Sequence, residues 1–173
     1  MLDRVRADYA PTDARGRAGV LVTGMSGRGK STALAELARR GHRVIDSDDQ
    51  GWIVEAQTAA GPEPMWDLDR LAAFLDSHLG GWLFIAGCVA NQRTLYHRFN
   101  AVVLLSAPVE VILARVASRA NPFGSTADDR AKIAADLMAY EPLLRAGANH
   151  EFDTTRPVMS VVDALEQVAA KYR

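Results

Sequence analysis

Cysteine is nearly missing from this chain: Cys88 is the only one among 173 residues. A single thiol excludes an intrachain disulfide framework and an all-cysteine metal site, and makes a reducing cytoplasm the simplest home. A dominant charge is missing too. The 20 Lys and Arg nearly cancel the 21 Asp and Glu, and the net charge of -1 supplies no broad field to hold a nucleic-acid duplex or an anionic membrane. Apolar runs such as residues 102–105 fall far short of the roughly 20 residues of a membrane span. Residues 1–17 alternate acids and bases around Pro11 and Gly16, with no apolar signal-peptide core, and are expected to form a flexible N-terminal arm. The histidines, His42, His78, His97 and His150, have no metal-ligand spacing. No repeat or low-complexity linker divides the rest. What remains is ordinary: 49% hydrophobic and 24% charged residues, the composition of one globular domain, expected over 18–173.

The chain alternates strand and helix signals. Residues 19–23 (Gly-Val-Leu-Val-Thr) are a short apolar run ended by a glycine-rich turn, which suits a strand buried on both faces. Residues 31–40 carry Leu34, Leu37 and Ala38 at helical spacing, with Arg39 and Arg40 in the last turn and Gly41 as the stop. Further strands are predicted at 43–45, 82–86, 101–105 and 150–152, each of the first four followed by something helical. Helices are predicted over 108–119, 128–145 and 158–171. This pattern implies an α/β fold, a parallel sheet covered on both sides, and in such sheets the ligand lies beyond the carboxyl ends of the strands.

The first strand end carries the most specific signal. Gly24-Met25-Ser26-Gly27-Arg28-Gly29-Lys30-Ser31 is Gly, four variable residues, then Gly-Lys-Ser, set between a predicted strand and a predicted helix. By chance this pattern would arise in roughly one chain of this length in a hundred, before its context is required. Glycines let backbone N–H groups converge on phosphate oxygens. The helix N-terminus, which Thr32 continues, adds positive potential; Lys30 reaches the terminal phosphates and Ser31 offers a hydroxyl to Mg²⁺. Motor ATPases and switch GTPases hold Mg²⁺ with an acid at a later strand end. Here the third and fourth strands end Ala86-Gly87-Cys88 and Ser106-Ala107-Pro108, without a carboxylate, and there is no Asn-Lys-x-Asp guanine-reading motif.

The acids stand instead after the second strand, in Asp46-Ser47-Asp48-Asp49. Two carboxylates two residues apart face the same way on an extended backbone. One can organise Mg²⁺ and its water while the other accepts the proton of an attacking hydroxyl; the alternative is a run that caps the next helix. With both motifs in view, the chain resembles the small P-loop kinases of the superfamily that includes shikimate kinase, gluconate kinase and adenylate kinase. The likeness spans roughly residues 18–170, and Val44-Ile45-Asp46-Ser47-Asp48 is similar to the shikimate kinase form of the second motif. The resemblance implies a three-layer, doubly wound P-loop fold with a parallel five-stranded sheet of order 2-3-1-4-5 and a lid. It also implies ATP as phosphoryl donor, Asp46 at the Mg²⁺ and Asp48 at the acceptor hydroxyl.

Arg115 and Arg119 lie four apart on the helix before the segment 120–126 (Ala-Asn-Pro-Phe-Gly-Ser-Thr), which looks like the lid. Similar kinases place arginines there over the nucleotide, where they neutralise charge on the phosphoryl group; a solvated arginine face is the alternative for Arg115, and Arg130 is either a second lid arginine or a partner within its own helix. Asn91, Gln92 and Arg93 follow the third strand where these families bind the acceptor, or else begin a polar helix. The third strand ends Gly87-Cys88-Val89-Ala90-Asn91-Gln92-Arg93, rather than in the triple glycine of shikimate kinases. Residues 50–80, with Trp52, Glu55, Trp66 and Asp69, stand where the superfamily covers its second substrate; the tryptophans either wall the acceptor or hold a helical flap. The expectation is a monomer or homodimer that transfers phosphate from Mg-ATP to a hydroxyl of a small metabolite or antibiotic-like molecule, binding neither nucleic acid nor membrane. Two alternatives stay open: a nucleoside monophosphate kinase, and a regulatory protein that turns ATP over slowly.

Overall fold

A computed structural model describes residues 16–48, 51–118 and 126–172. Five parallel strands form the central sheet: β1 (Ala18–Thr23), β2 (Arg43–Asp46), β5 (Trp82–Ala86), β6 (Ala101–Ser106) and β7 (His150–Asp153), in the spatial order β2-β5-β1-β6-β7. Counting these strands alone, the order is 2-3-1-4-5. The fold is the α/β P-loop architecture that the resemblance implied.

The apolar runs are continuous because both faces are covered. Val20, Val22, Phe84, Ala86, Val103 and Leu105 point to one side, against Ala33, Leu34 and Leu37 of α1 (Lys30–Arg39) and Val161, Val162 and Leu165 of α5 (Val158–Ala169). Leu21, Leu83, Ile85 and Val102 point to the other, against Leu71 and Leu75 of α2 (Leu68–Ser77) and Leu95 and Phe99 around a 3₁₀ helix at Gln92–Arg98. The strand period of two therefore sorts one run of hydrophobics into two cores. A third cluster joins Ile112 and Val116 of α3 (Val109–Ala117) to Leu137 of α4 (Ala127–Gly147). Thr126 starts α4 with a capping box: its side chain accepts from the Asp129 N–H, and the Asp129 carboxylate accepts from the Thr126 N–H.

One segment departs from expectation. Between β2 and α2 the chain forms an antiparallel hairpin, β3 (Ile53–Thr58) with β4 (Gly61–Trp66), where a helical flap was one of the two readings. Pro62 and Pro64 exclude a helix. They are tolerated in β4 because alternate residues turn their N–H the same way. Trp66 shares that orientation, and its N–H indeed leaves the ladder, donating to Asn91 Oδ1 at 2.9 Å. The predicted arm at 1–17 lies outside the described residues except for its end, where Arg17 donates to Leu75 O at 3.1 Å. Among the described residues no helix is long and apolar enough to cross a membrane.

Candidate active site at the carboxyl ends of the strands

The phosphate loop, residues 24–31, joins β1 to α1. Gly24, Gly27 and Gly29 all have positive φ, at 146°, 83° and 82°, conformations that favour glycine. Space adds a second requirement at Gly24, where a Cβ would stand 2.6 Å from Leu105 O. Gly29, the N-cap of α1, is left-handed and provides no side-chain cap, so the first helical N–H groups face the loop. Lys30 is buried, and its Nζ donates to Gly24 O and, at 3.4 Å, to Met25 O. Met25 and Ser26 complete the loop.

Opposite the loop, Asp46 ends β2 next to Ser31. The Ser31 hydroxyl donates to Asp46 Oδ2 at 2.8 Å, while Asp46 Oδ1 accepts from the Asp48 N–H at 3.2 Å. The expected metal pair is thus together. A hydroxyl and a carboxylate are hard oxygen donors, and Mg²⁺ characteristically takes one or two of these with phosphate oxygens and water rather than an all-protein cage. The donor set fits Mg²⁺, and among the described residues no cluster of three or more His, Cys, Asp or Glu competes for it. Ser47, between the two acids, is wholly buried and points the opposite way.

Asp48 is exposed and lines a cavity of about 490 Å³ with Gly51, Ile53, Pro64, Cys88 and Val89. Ile53 and Pro64 belong to the hairpin, so the 50–80 segment does wall the space beside Asp48. Burial pushes the Cys88 thiol above its ordinary range; nearby Lys30 opposes that shift and Asp48 reinforces it. A second cavity, about 350 Å³, opens behind the phosphate loop against Gly27, Gly29, Thr32, Arg115, Thr154 and Arg156. Arg115 is not on a solvated face. It donates to Gly27 O at 3.3 Å, to Thr154 Oγ1 at 2.9 Å and to Thr154 O.

Three expected binding residues do other work. The backbone of Arg28 stays in the loop, but its guanidinium turns inward, 2% exposed, donating to Ala107 O and pairing with Glu141 of α4. Burial, then the positive charges of Arg145 and Arg115, bring its pKa down to about 10. Glu141 also accepts from Arg145 at 2.8 Å, and Arg145 grips Glu151 at 2.7 and 2.8 Å, which holds the Glu151 carboxyl below its ordinary range. Gln92 is 2% exposed and bonded to Thr23 Oγ1 and Tyr96 OH. Asn91 accepts from Trp66 N and donates to Trp66 O, both at 2.9 Å, as a neighbouring strand would. Its amide therefore edges the hairpin instead of facing an acceptor. Of Asn91, Gln92 and Arg93, only Arg93 is exposed. Arg119 and residues 120–125 of the expected lid lie outside the described residues.

A family model described as an AAA domain matches residues 20–134. The chain belongs to this family. It is a small P-loop kinase-type protein of the shikimate kinase and adenylate kinase superfamily. A nucleotide-binding protein of Sorangium cellulosum is 34% identical over 155 residues, 84% of this chain, which spans 41% of that protein's length. A shikimate kinase of Burkholderia pseudomallei is 28% identical, with 80% of this chain and 82% of that protein covered. Among solved structures, shikimate kinase from Acinetobacter baumannii in complex with shikimate aligns with a TM-score of 0.61 at 24% identity, covering 87% and 92% of the two chains. A gluconokinase from Sinorhizobium meliloti aligns at 0.54 and 21%, covering 91% and 95%. At these identities the structural likeness establishes the fold alone.

Sequence reasoning missed Ser47 and Glu141, although Ser47 carried a signal. It stands between two acids where β2 ends, and it is the residue of the three that turns inward.

Proposed function

We propose that this protein is a phosphotransferase that moves the terminal phosphate of Mg-ATP to a hydroxyl of a small molecule. One observation carries the reading: Asp48 lines an open cavity directly beside the Ser31–Asp46 pair at the foot of the phosphate loop. The backbone N–H groups of residues 24–32 hold the phosphates, with Lys30 turning from Gly24 O to the terminal phosphate. Arg115, Thr154 and Arg156 border the nucleotide on the far side of the loop. Ser31 and Asp46 would hold Mg²⁺, which would supply charge neutralisation to the phosphates. Asp48 accepts the acceptor's proton as the acceptor oxygen attacks the terminal phosphorus and the bond from that phosphorus to the bridging oxygen breaks, releasing ADP. Arg119, four residues beyond Arg115 on the chain, takes the role of neutralising the phosphoryl group in flight.

The decisive test is Asp48→Asn. An acceptor is first identified by incubating a metabolite pool with labelled ATP, and single-turnover transfer to it is then followed across a Mg²⁺ titration. Loss of a general base lowers turnover by about 10²- to 10⁴-fold with ATP affinity retained, and raised Mg²⁺ does not restore it. Asp46→Asn is partly rescued by Mg²⁺. Exposed Arg93 favours a second reading, a nucleoside monophosphate kinase, whose phosphate acceptor needs no general base. Unchanged turnover in Asp48→Asn would move the assignment there.

A further inference from the structure

Trp66 stands where the hairpin, the acidic turn and the central sheet meet. Its side chain is 1% exposed, and its indole Nε1–H donates to Ser47 Oγ at 2.8 Å. Its main chain is held on both polar groups by the Asn91 amide. Ser47 is pinned a second time, by its N–H on Ala86 O at 2.8 Å, the last rung between the acidic turn and β5. Beside them Gly87 leaves room for nothing larger: a Cβ there would lie 2.1 Å from Ser47 Oγ and 2.9 Å from Trp66 Cζ2. A buried, three-way contact of this kind is a geometric constraint, not filler.

We propose that Trp66 is a positioning residue for the acidic pair, acting through its indole N–H on Ser47. The proposal rests on the assignment of Asp46 to Mg²⁺ and Asp48 to the acceptor. With Ser47 turned inward, Asp46 on one side of it meets Ser31 of the phosphate loop and Asp48 on the other lines the cavity beside that pair. Without its side-chain anchor Ser47 keeps only the terminal rung of the ladder, and the turn 46–48 is free to rotate away from Ser31. The same indole also ties the acids to the acceptor side. Trp66 is the ladder partner of Ile53, which lines the Asp48 cavity with Pro64. An acceptor seated on these two residues bears on the strand whose end is bonded to Ser47.

The test compares the wild-type chain with Trp66→Phe, which keeps an aromatic ring and loses the donor, and Ser47→Ala, which loses the acceptor and leaves Trp66 in place. Affinity for a fluorescent non-hydrolysable ATP analogue is measured in Mg²⁺ and in EDTA, and amide exchange at residues 47 and 48 is followed in metal-free protein. Partners one shell out from a metal typically contribute about 10- to 100-fold to its affinity. The Mg²⁺-dependent gain in analogue affinity should therefore fall about tenfold in each variant, with affinity in EDTA unchanged and exchange at 47 and 48 faster. The double variant should lose no more than the worse single one, because both remove the same bond. Asp46→Asn is the reference. If it loses the Mg²⁺-dependent gain while Trp66→Phe and Ser47→Ala both keep it, the positioning role is overturned and the metal assignment stands. If Asp46→Asn keeps the gain, the metal assignment fails and takes the proposal with it. Should Trp66→Phe not fold, Ser47→Ala decides alone.

Discussion

Replacing Gly87 by alanine tests the packing on which the acidic turn depends. Its φ is not positive, so alanine meets no backbone strain there. The whole penalty is steric. The new Cβ would sit 2.1 Å from Ser47 Oγ and 2.9 Å from Trp66 Cζ2, where carbon contacts rest at roughly 3.5–4.0 Å. Neither neighbour is a flexible chain end: both are buried and joined by the 2.8 Å bond. Overpacking of this kind costs about 1–3 kcal/mol. Forcing Ser47 Oγ aside by more than about 1 Å also strands the buried indole N–H, which adds about 1–3 kcal/mol. Reduced freedom of the unfolded chain returns about 0.4–1 kcal/mol. The net loss is about 3 kcal/mol, which for a domain of this size lowers Tm by about 6–12 °C. Thermal unfolding followed by circular dichroism measures it, with Gly19→Ala as control. A Cβ at Gly19 meets only Asn100 Oδ1, at 4.0 Å, so that variant should be neutral or gain up to about 1 kcal/mol. If Gly87→Ala melted within about 2 °C of the wild type, the tight contact among Gly87, Ser47 and Trp66 would be refuted.

Lys30→Ala should retain the wild-type circular dichroism spectrum and lose about 10²- to 10³-fold in phosphoryl transfer, since it removes the charge nearest the migrating group; near wild-type transfer would contradict the phosphate-loop assignment. Arg28→Ala should cost about 3 kcal/mol in urea unfolding, the lower end for breaking a buried ion pair, because Glu141 keeps Arg145. A loss below about 1 kcal/mol would mean that the guanidinium does not secure the loop to α4. Cys88 should react with iodoacetamide more slowly than a free thiol at pH 8. Its raised pKa lowers the thiolate fraction at every pH below it, so the rate should keep climbing above the ordinary thiol value of 9.0. Labelling at pH 7 as fast as a free thiol would count against its burial.

The phosphate loop, the acidic turn and the sheet were legible in the chain because each is written locally. Glycines with positive φ, a Lys-Ser pair at a helix start and a β-branched run between turns depend on neighbours a few residues away. The run 82–86 coincides with β5, and Asp46 and Ser31 met as their strand ends required. The hairpin was harder to read. Alternating prolines forbid a helix, but only pairing with 53–58 makes 61–66 a strand. Side-chain direction was harder still. Nothing around Arg28 or Gln92 distinguishes a residue that meets a ligand from one that turns inward; the partners that decide, Glu141 and Thr23, lie 113 and 69 residues away. The chain by itself thus determined where phosphate-binding backbone and carboxylates occur, since both follow from local conformation. Which polar side chains remain for an acceptor was decided only by the tertiary structure, because a buried donor or acceptor must find its partner wherever the fold brings one.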